Sequence, residues 1–223
     1  MIKKTGILVF AALLVFCAAA FSQEQEKDNE AKLNEIISKM EAVDKKVNTA
    51  EISYSQGIFY SSTKEKQNIT GNLKYKKPDN IFIVQKTPQE QRVYINGRKI
   101  TIYTPENSQA VTDNWKDAVN GDFTSASMVN FSGNWKAVKK ENNVKYVGED
   151  DKNYILEITP IKKNEWNMQL HVDKTSMLAS KAIVTAAGLV VRVDISDYKV
   201  NPNFKKEIFK FTAPEGVEVI EFN

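Results

Sequence analysis

Most of the sequence consists of short β-forming runs separated by turn residues. In "TGNLKYKKPDNIFIV", residues 70–84, Leu73 and Tyr75 share one side of an extended chain, and Ile81 and Ile83 share one side after a Pro-Asp turn. Because side chains alternate between the two faces of a strand, this stretch predicts two antiparallel strands with a common apolar face. Nothing chemically reactive lies on that face, so this stretch by itself does not indicate a function.

Similar runs continue almost to the end of the chain, and several are separated by hairpin signals. Asn96-Gly97 is the strongest short hairpin signal, and Gly188 marks another turn. Many strands in hairpin order beside one long helix favour a mainly β (α+β) fold, with a single curved antiparallel sheet under helical cover. The predicted strands are 51–60, 68–77, 80–87, 91–96, 99–104, 144–149, 153–159, 166–173, 178–186, 189–199 and 205–211.

A single amphipathic helix is predicted before the first strand. Apolar residues recur at helical spacing between residues 30 and 47, which is typical of a helix that covers an apolar surface. Asp28 or Asn29 can cap its start. The stripe consists of Leu33, Ile36, Ile37, Met40, Val43 and Val47.

The N-terminus has the three parts of a secretory signal. A short basic start precedes an apolar run that ends at Phe16, and the small-residue cleavage site "CAAAFSQ" follows. The apolar run is shorter than the about 20 residues of a membrane-spanning helix. We therefore predict a signal peptide at 1–22, cleaved after Ser22, a single mature domain at 23–223, and a periplasmic location.

Composition excludes several classes of protein. Loss of Lys3 and Lys4 with the signal leaves 29 basic against 28 acidic residues, a net charge of about +1, which does not favour nucleic-acid binding. Loss of Cys17 leaves no disulfide and no thiolate metal site. A lipoprotein signal that uses Cys17 is the alternative, but Phe16 stands where such a signal has a small residue. We predict no metal and no cofactor.

Residues 105–142 interrupt the β pattern. We predict one or two short helices joined by loops, because the apolar residues fit a helical period poorly. Long irregular insertions over a sheet are often lids or binding loops. The apolar residues of this segment are Phe123, Met128, Val129 and Phe131.

Candidates for catalysis are few. His171 is the only histidine, and its parity is opposite to that of Met168 and Leu170, which predicts an outward, solvated side chain. One histidine without a cysteine in the mature chain excludes a Cys-His zinc site, and no Gly-x-Ser-x-Gly elbow is present.

Carboxylates leave one enzymatic alternative open. Asp150-Asp151 and Asp194 with Asp197 are acidic pairs, and Glu157 lies on a predicted strand. An envelope hydrolase of the glycosidase type needs two carboxylates that face one sugar. Asp150-Asp151 lies in "GEDDKN", so the simpler interpretation of that pair is a solvated turn.

Strand aromatics have two interpretations. Such residues can stack on bases or sugars, but export and a near-neutral charge disfavour nucleic acid. Strands are enriched in aromatics, so we predict that most of these residues pack the sheet. They are Tyr54, Phe59, Tyr60, Tyr75, Phe82, Tyr94 and Tyr103.

The apolar strand residues predict a broad concave surface if they all face one side. A curved sheet that one helix does not fill is a pocket for an apolar ligand. On the pattern alone, a packed core is the simpler interpretation. The residues expected to line such a cavity are Leu73, Tyr75, Ile81, Ile83, Val93, Ile100, Ile102, Leu156, Met168, Leu170, Val191 and Val193.

Three segments in order resemble a known family. "GNLKYKKPDNIF", "VYINGRKITIYTPENSQ" and "IFKFTAPEGVEVI" are similar to the signature regions of LolA-type outer-membrane lipoprotein carriers, and the resemblance extends over residues 31–220. It implies an unclosed β-barrel, a highly curved half-barrel sheet covered by the N-terminal helix and short lid helices. It also implies a cavity for the acyl chains of lipoproteins, which a monomeric carrier receives from an inner-membrane ABC transporter and delivers to an outer-membrane acceptor.

The resemblance also implies a lid and its tether. Phe123, Met128, Val129 and Phe131 would form the lid, and Lys77 occupies the position of a family arginine that holds it. Lysine lacks the planar fork of arginine. The segment is also poorer in apolar residues than the family lid and lacks its frequent proline.

Two other functions remain as alternatives to the carrier. One is a lipid-sensing periplasmic regulator or binding module on the same fold, although such regulators usually carry a second domain. The other is the envelope hydrolase. The carrier is the leading prediction, and it is not an enzyme.

Overall fold

The computed structural model describes residues 7–114, 135–162 and 165–222, with side chains of the first helix described from residue 25 onwards. The helices are α1 (Ile7–Asp44) and α2 (Trp135–Glu141), with 3-10 helices at Pro105–Asn107 and Lys206–Phe209. The strands are β1 (Thr49–Tyr60), β2 (Lys66–Lys76), β3 (Asn80–Thr87), β4 (Gln91–Asn96), β5 (Lys99–Thr104), β6 (Gln109–Asn114), β7 (Asn142–Glu149), β8 (Asn153–Pro160), β9 (Trp166–Asp173), β10 (Ala179–Ala186), β11 (Leu189–Val200) and β12 (Glu218–Glu221).

The twelve strands of the described residues belong to one sheet that does not close. The strand order is β12-β6-β5-β4-β3-β2-β1-β11-β10-β9-β8-β7, so β12 and β7 are its edges. Neighbouring strands are antiparallel, except that β12 runs parallel to β6. The mainly β fold with an unclosed sheet is therefore confirmed.

Register places the predicted apolar residues on one face, which we call the inner face. Leu73 lies opposite Ile83, and Ile83 lies opposite Val93. Both helices cover this face, because Ile36 of α1 and Trp135 of α2 belong to the same buried core as the sheet residues. The predicted stripe is thus confirmed from Leu33 to Val43 as the surface that packs on the sheet, but Val47 lies beyond the end of the helix at Asp44.

The predicted turns are confirmed where glycine permits them. Gly97 between β4 and β5 and Gly188 between β10 and β11 have φ of 63° and 77°, values that residues with a Cβ rarely adopt. The N-terminal cap is different. Because α1 begins at Ile7, Asp28 and Asn29 lie within the helix of the full chain and do not cap its start.

The predicted strand at 205–211 is wrong. β11 is already paired on both sides, with β1 and with β10, so no edge is available for a hairpin partner. The segment instead crosses the opposite, outer face of the sheet, where Phe209 is 1% exposed. Phe211 contacts Tyr94 and Tyr103 with tilted rings, and the ring centroids are 5.5 Å apart in both cases. We call residues 204–211 the C-terminal strap.

Two strands were not predicted. β6 continues the meander after the 3-10 helix at Pro105–Asn107, and β12 pairs with β6 from more than one hundred residues further along the chain. A four-residue strand that pairs at such a distance has no local sequence signal.

Candidate functional site

A cavity of about 200 Å³ lies between the inner face of the sheet and the two helices. β1, β2, β9, β10 and β11 contribute to its wall, together with Met40 of α1 and Trp135 of α2. The wall is predominantly apolar, because the register turns one parity of each strand inward. Such a surface favours a ligand with little hydrogen-bonding capacity.

Five of the twelve residues predicted to line a cavity do lie around it: Leu73, Tyr75, Met168, Leu170 and Val193. The other seven pack in or against the continuous hydrophobic core: Ile81, Ile83, Val93, Ile100, Ile102, Leu156 and Val191. Parity identifies the inner face correctly, but it does not distinguish the residues around the cavity from those that pack only in the core.

Several residues of the wall were missed by the sequence analysis. Ile52 and Tyr54 alternate with outward residues along β1 and share the parity of Ala50, which is the signal that could have identified them. Leu178 and Ala179 lie where the chain turns from β9 into β10, and no periodic pattern marks that turn.

Tyr54 adopts its position because the facing residue has no side chain. Gly71 lies opposite Tyr54 in the β1–β2 pair. A Cβ on Gly71 would lie 2.5 Å from Tyr54 Oη and 2.6 Å from Cζ. The glycine of the "GNLKY" segment therefore lets an aromatic ring lie flat across the neighbouring strand and form part of the cavity wall.

One end of the cavity is polar. Asp44, Tyr75 and Tyr198 all line it and are partly exposed, whereas Leu73 and Met168 are buried. We call these three residues, with Lys77, the polar end. Because these residues are partly exposed, a ligand group bound beside them is also in reach of solvent.

Lys77 binds the end of α1. Its Nζ donates to the backbone oxygen of Asp44 at 2.6 Å and to Asp44 Oδ2 at 3.2 Å. A cation at a helix C-terminus interacts favourably with the helix dipole, and Lys77 adds a second donor to a carbonyl that already accepts the backbone N–H of Val47 at 3.0 Å. Among the described residues, Lys77, the predicted lid tether, therefore binds the C-terminal end of α1.

The predicted lid residues, Phe123, Met128, Val129 and Phe131, lie outside the described residues.

The two tyrosines of the polar end remain protonated hydroxyl donors. Burial, with Asp44 and Tyr75 nearby, raises the pKa of Tyr198 to about 12. Burial also raises the pKa of Tyr75, helped by the carboxylates of Asp44 and Asp79. Tyr75 Oη donates a long hydrogen bond, 3.4 Å, to the backbone oxygen of Pro78.

The prediction that His171 is solvated is wrong. Its side chain is on the outer face, as the parity indicates, but the residue is only 7% exposed. Neither ring nitrogen has a hydrogen-bond partner among the described residues, and Nδ1 lies 4.0 Å from Asp150 Oδ2. Burial, and next the charge of Lys181, lower its pKa. Neighbouring side chains on the outer face cover it, which alternation alone does not predict.

Three of the carboxylates considered for catalysis have local structural partners. Asp150 Oδ1 accepts the backbone N–H groups of Lys152 and Asn153, at 2.8 and 2.7 Å, as expected for a turn. Arg192 binds both oxygens of Asp194, at 2.7 and 2.9 Å. Glu157 accepts from the amide of Asn167 at 3.0 Å.

Among the described residues, no helix is both long enough and apolar enough to cross a bilayer. The same residues include no group of three or more His, Cys, Asp or Glu side chains that could hold a metal ion.

The chain is similar to proteins described as outer-membrane lipoprotein carriers. Residues 45–212 match the family described as outer membrane lipoprotein carrier protein LolA. An outer-membrane lipoprotein carrier protein of Pasteurella multocida is 28% identical over 175 residues, which cover 78% of this chain and 81% of that protein. Another, from Legionella pneumophila strain Lens, is 22% identical over 217 residues, 96% of this chain and 98% of that protein.

The fold also has a relative among solved structures. An uncharacterized conserved protein from Thermus thermophilus superposes with a TM-score of 0.58 at 11% identity, covering 86% of this chain and 99% of that one. At this identity the likeness concerns the fold alone.

Proposed function

The chain belongs to the LolA family of outer membrane lipoprotein carrier proteins, and from that premise we propose that it is a periplasmic carrier that encloses the acyl chains of lipoproteins. It takes them from the inner membrane to the outer membrane. The proposal is one of binding and release, with no catalytic step.

The observation that carries the proposal is the apolar cavity on the inner face of an unclosed sheet. Met168, Leu170 and Val193 offer hydrocarbon surface there, and β7 and β12 are the edge strands of the sheet in the part of the chain that the structure describes. An acyl chain costs about 0.8 kcal/mol for each methylene that it exposes to water. A lipoprotein therefore needs such a sheath to cross an aqueous compartment.

The size of the cavity indicates how loading proceeds. Its volume of about 200 Å³ is below the roughly 300–1,000 Å³ of pockets that enclose drug-sized ligands. Uptake of a long acyl chain thus requires side chains or helices over the cavity to move apart. The predicted lid at residues 123–131 and the α1 end held by Lys77 are the proposed moving parts.

The proposal includes a route and partners. The N-terminal signal directs export, an ABC transporter of the inner membrane supplies the lipoprotein, and an acceptor at the outer membrane receives it. The carrier acts as a monomer. These steps rest on the family resemblance and on the signal sequence at residues 1–22.

The test is a lipoprotein-release assay with a variant that fills the cavity. Ala179 and Ala186 are both half-buried on β10, but only Ala179 lines the cavity. The carrier is incubated with spheroplasts that retain a labelled lipoprotein, and soluble carrier–lipoprotein complex is measured. We expect Ala179→Phe to abolish most release and Ala186→Phe to keep the wild-type yield.

Wild-type protein that releases no lipoprotein and takes up no acylated peptide would contradict the carrier function. Equal yields from both alanine variants would contradict the assignment of the acyl chains to this cavity.

A further inference from the structure

At the polar end of the cavity, Lys77 and Asp44 are paired with each other, unlike the two tyrosine hydroxyls. Lys77 Nζ and the Asp44 carboxylate bind each other, and Lys77 also uses the last carbonyl of α1. The side chains of this pair are about one-third exposed, at 32% and 29%. Their charges are therefore largely matched within the protein.

The two tyrosine hydroxyls are available to a ligand. Tyr198 Oη makes no side-chain hydrogen bond among the described residues, and the bond from Tyr75 Oη to Pro78 is long at 3.4 Å. Both tyrosines line the same cavity, and the nearby charge of Asp44 contributes to raising the pKa of each. A tyrosine hydroxyl beside an apolar cavity can donate a hydrogen bond, which favours a ligand with a hydrogen-bond acceptor at that position.

We propose that Tyr75 and Tyr198 bind the ester carbonyls at the junction between the acyl chains and the polar head of the ligand, so that the carrier selects esterified chains. The inference rests on the proposed function. A ligand whose acyl chains fill the apolar cavity can place its first polar atoms at the polar end, where the residues are partly exposed. Ester carbonyls accept hydrogen bonds, so they can bind the two tyrosine hydroxyls. They carry no charge, and a charged ligand group is not needed there because Lys77 and Asp44 already neutralise each other. Asp44 and Lys77 are positioning residues that hold the α1 end beside the hydroxyls.

Two ligands that differ only in the carbonyls test the proposal. The first is a synthetic peptide whose N-terminal cysteine carries a dipalmitoyl glyceryl group, and the second is its dihexadecyl ether analogue. Their dissociation constants are measured by titration calorimetry on protein purified from the periplasm. The variants are Tyr75→Phe, Tyr198→Phe and the pair together, with Tyr60→Phe as the control because Tyr60 is exposed and lies outside the cavity.

We expect the double variant to bind the diester about tenfold more weakly than wild type, the loss of two ordinary hydrogen bonds. Its affinity for the diether should equal that of wild type, and Tyr60→Phe should change neither. Equal losses for both ligands would show a merely structural role and overturn the inference, and so would an unchanged affinity for the diester. Those two results leave the proposed function standing, whereas wild-type protein that binds neither ligand would overturn both.

Discussion

Gly71 determines where the ring of Tyr54 lies, because a Cβ there would overlap the ring at 2.5–2.9 Å. We expect Gly71→Ala to lower the free energy of unfolding by about 1–3 kcal/mol, since a rigid buried ring has to move. Gly57→Ala on β1 is the control, because its Cβ would meet only Asn68 Oδ1 at 3.7 Å. Urea denaturation measures both, and equal effects would contradict the role assigned to Tyr54.

His171 makes stability depend on pH in a defined window. Its native pKa is lowered by burial, then by Lys181 and Arg192, against the opposing charges of Asp150 and Asp194. The unfolded chain therefore takes up the proton first, and stability falls as the pH drops below about 6.5, the ordinary value of histidine. Above that pH the imidazole is neutral in both states and contributes no pH dependence.

The corresponding experiment is denaturation of wild type and His171→Leu at pH 7.5 and 5.5. This is the only histidine of the chain, and carboxylates with lowered pKa values titrate at more acidic pH. Wild type should lose more stability than the variant between the two conditions. Identical losses would show that His171 is not protonated more readily in the unfolded state.

At the scale of single elements, the end of α1 depends on Lys77. Lys77→Met removes the donor to the Asp44 carbonyl and carboxylate. The pair is partly exposed, so we expect a loss of only about 0.5–1.5 kcal/mol. Hydrogen exchange should accelerate in the last turn of α1. Lys76→Met is the matched control, because Lys76 has no side-chain partner among the described residues. The same exchange rates in both variants would contradict the role.

The C-terminal strap stabilises the sheet from the face opposite the cavity. Phe209→Ala removes a side chain that is 1% exposed, so we expect a loss of about 3–5 kcal/mol in urea denaturation. Phe222, 59% exposed, gives the control Phe222→Ala with a change within about 0.5 kcal/mol. At low temperature, where the variant is folded, affinity for acylated peptide should be unchanged. A parallel loss of affinity would show that the strap also shapes the cavity.

For the whole molecule, ligand binding and folding are linked. A ligand that binds only the folded state stabilises it by about 2.7 kcal/mol at one hundred times its dissociation constant. We expect that increase for wild type with the acylated peptide, measured by chemical denaturation. Ala179→Phe should show almost none, because the new ring occupies the cavity. Stabilisation of the variant by the same amount would place the ligand elsewhere.

Much of the architecture follows from local pattern. Alternation in "TGNLKYKKPDNIFIV" identifies two strands and their inner face, and Asn96-Gly97 identifies a hairpin, because each signal depends only on nearby residues. The helical stripe that includes Ile36 is equally local. The apolar face of this stretch is thus in part core, as at Ile81 and Ile83, and in part cavity wall, as at Leu73.

The sequence by itself determined the strands that pair with chain neighbours, the amphipathic helix, the inner face and the resemblance to the carrier family. Only the tertiary structure decided which inner residues remain open to a ligand, that Lys77 meets Asp44, and that Phe209 crosses the outer face. It also showed that His171 is buried. Each of these depends on segments distant in sequence that pack together, and periodicity records the direction of a side chain but not what covers it.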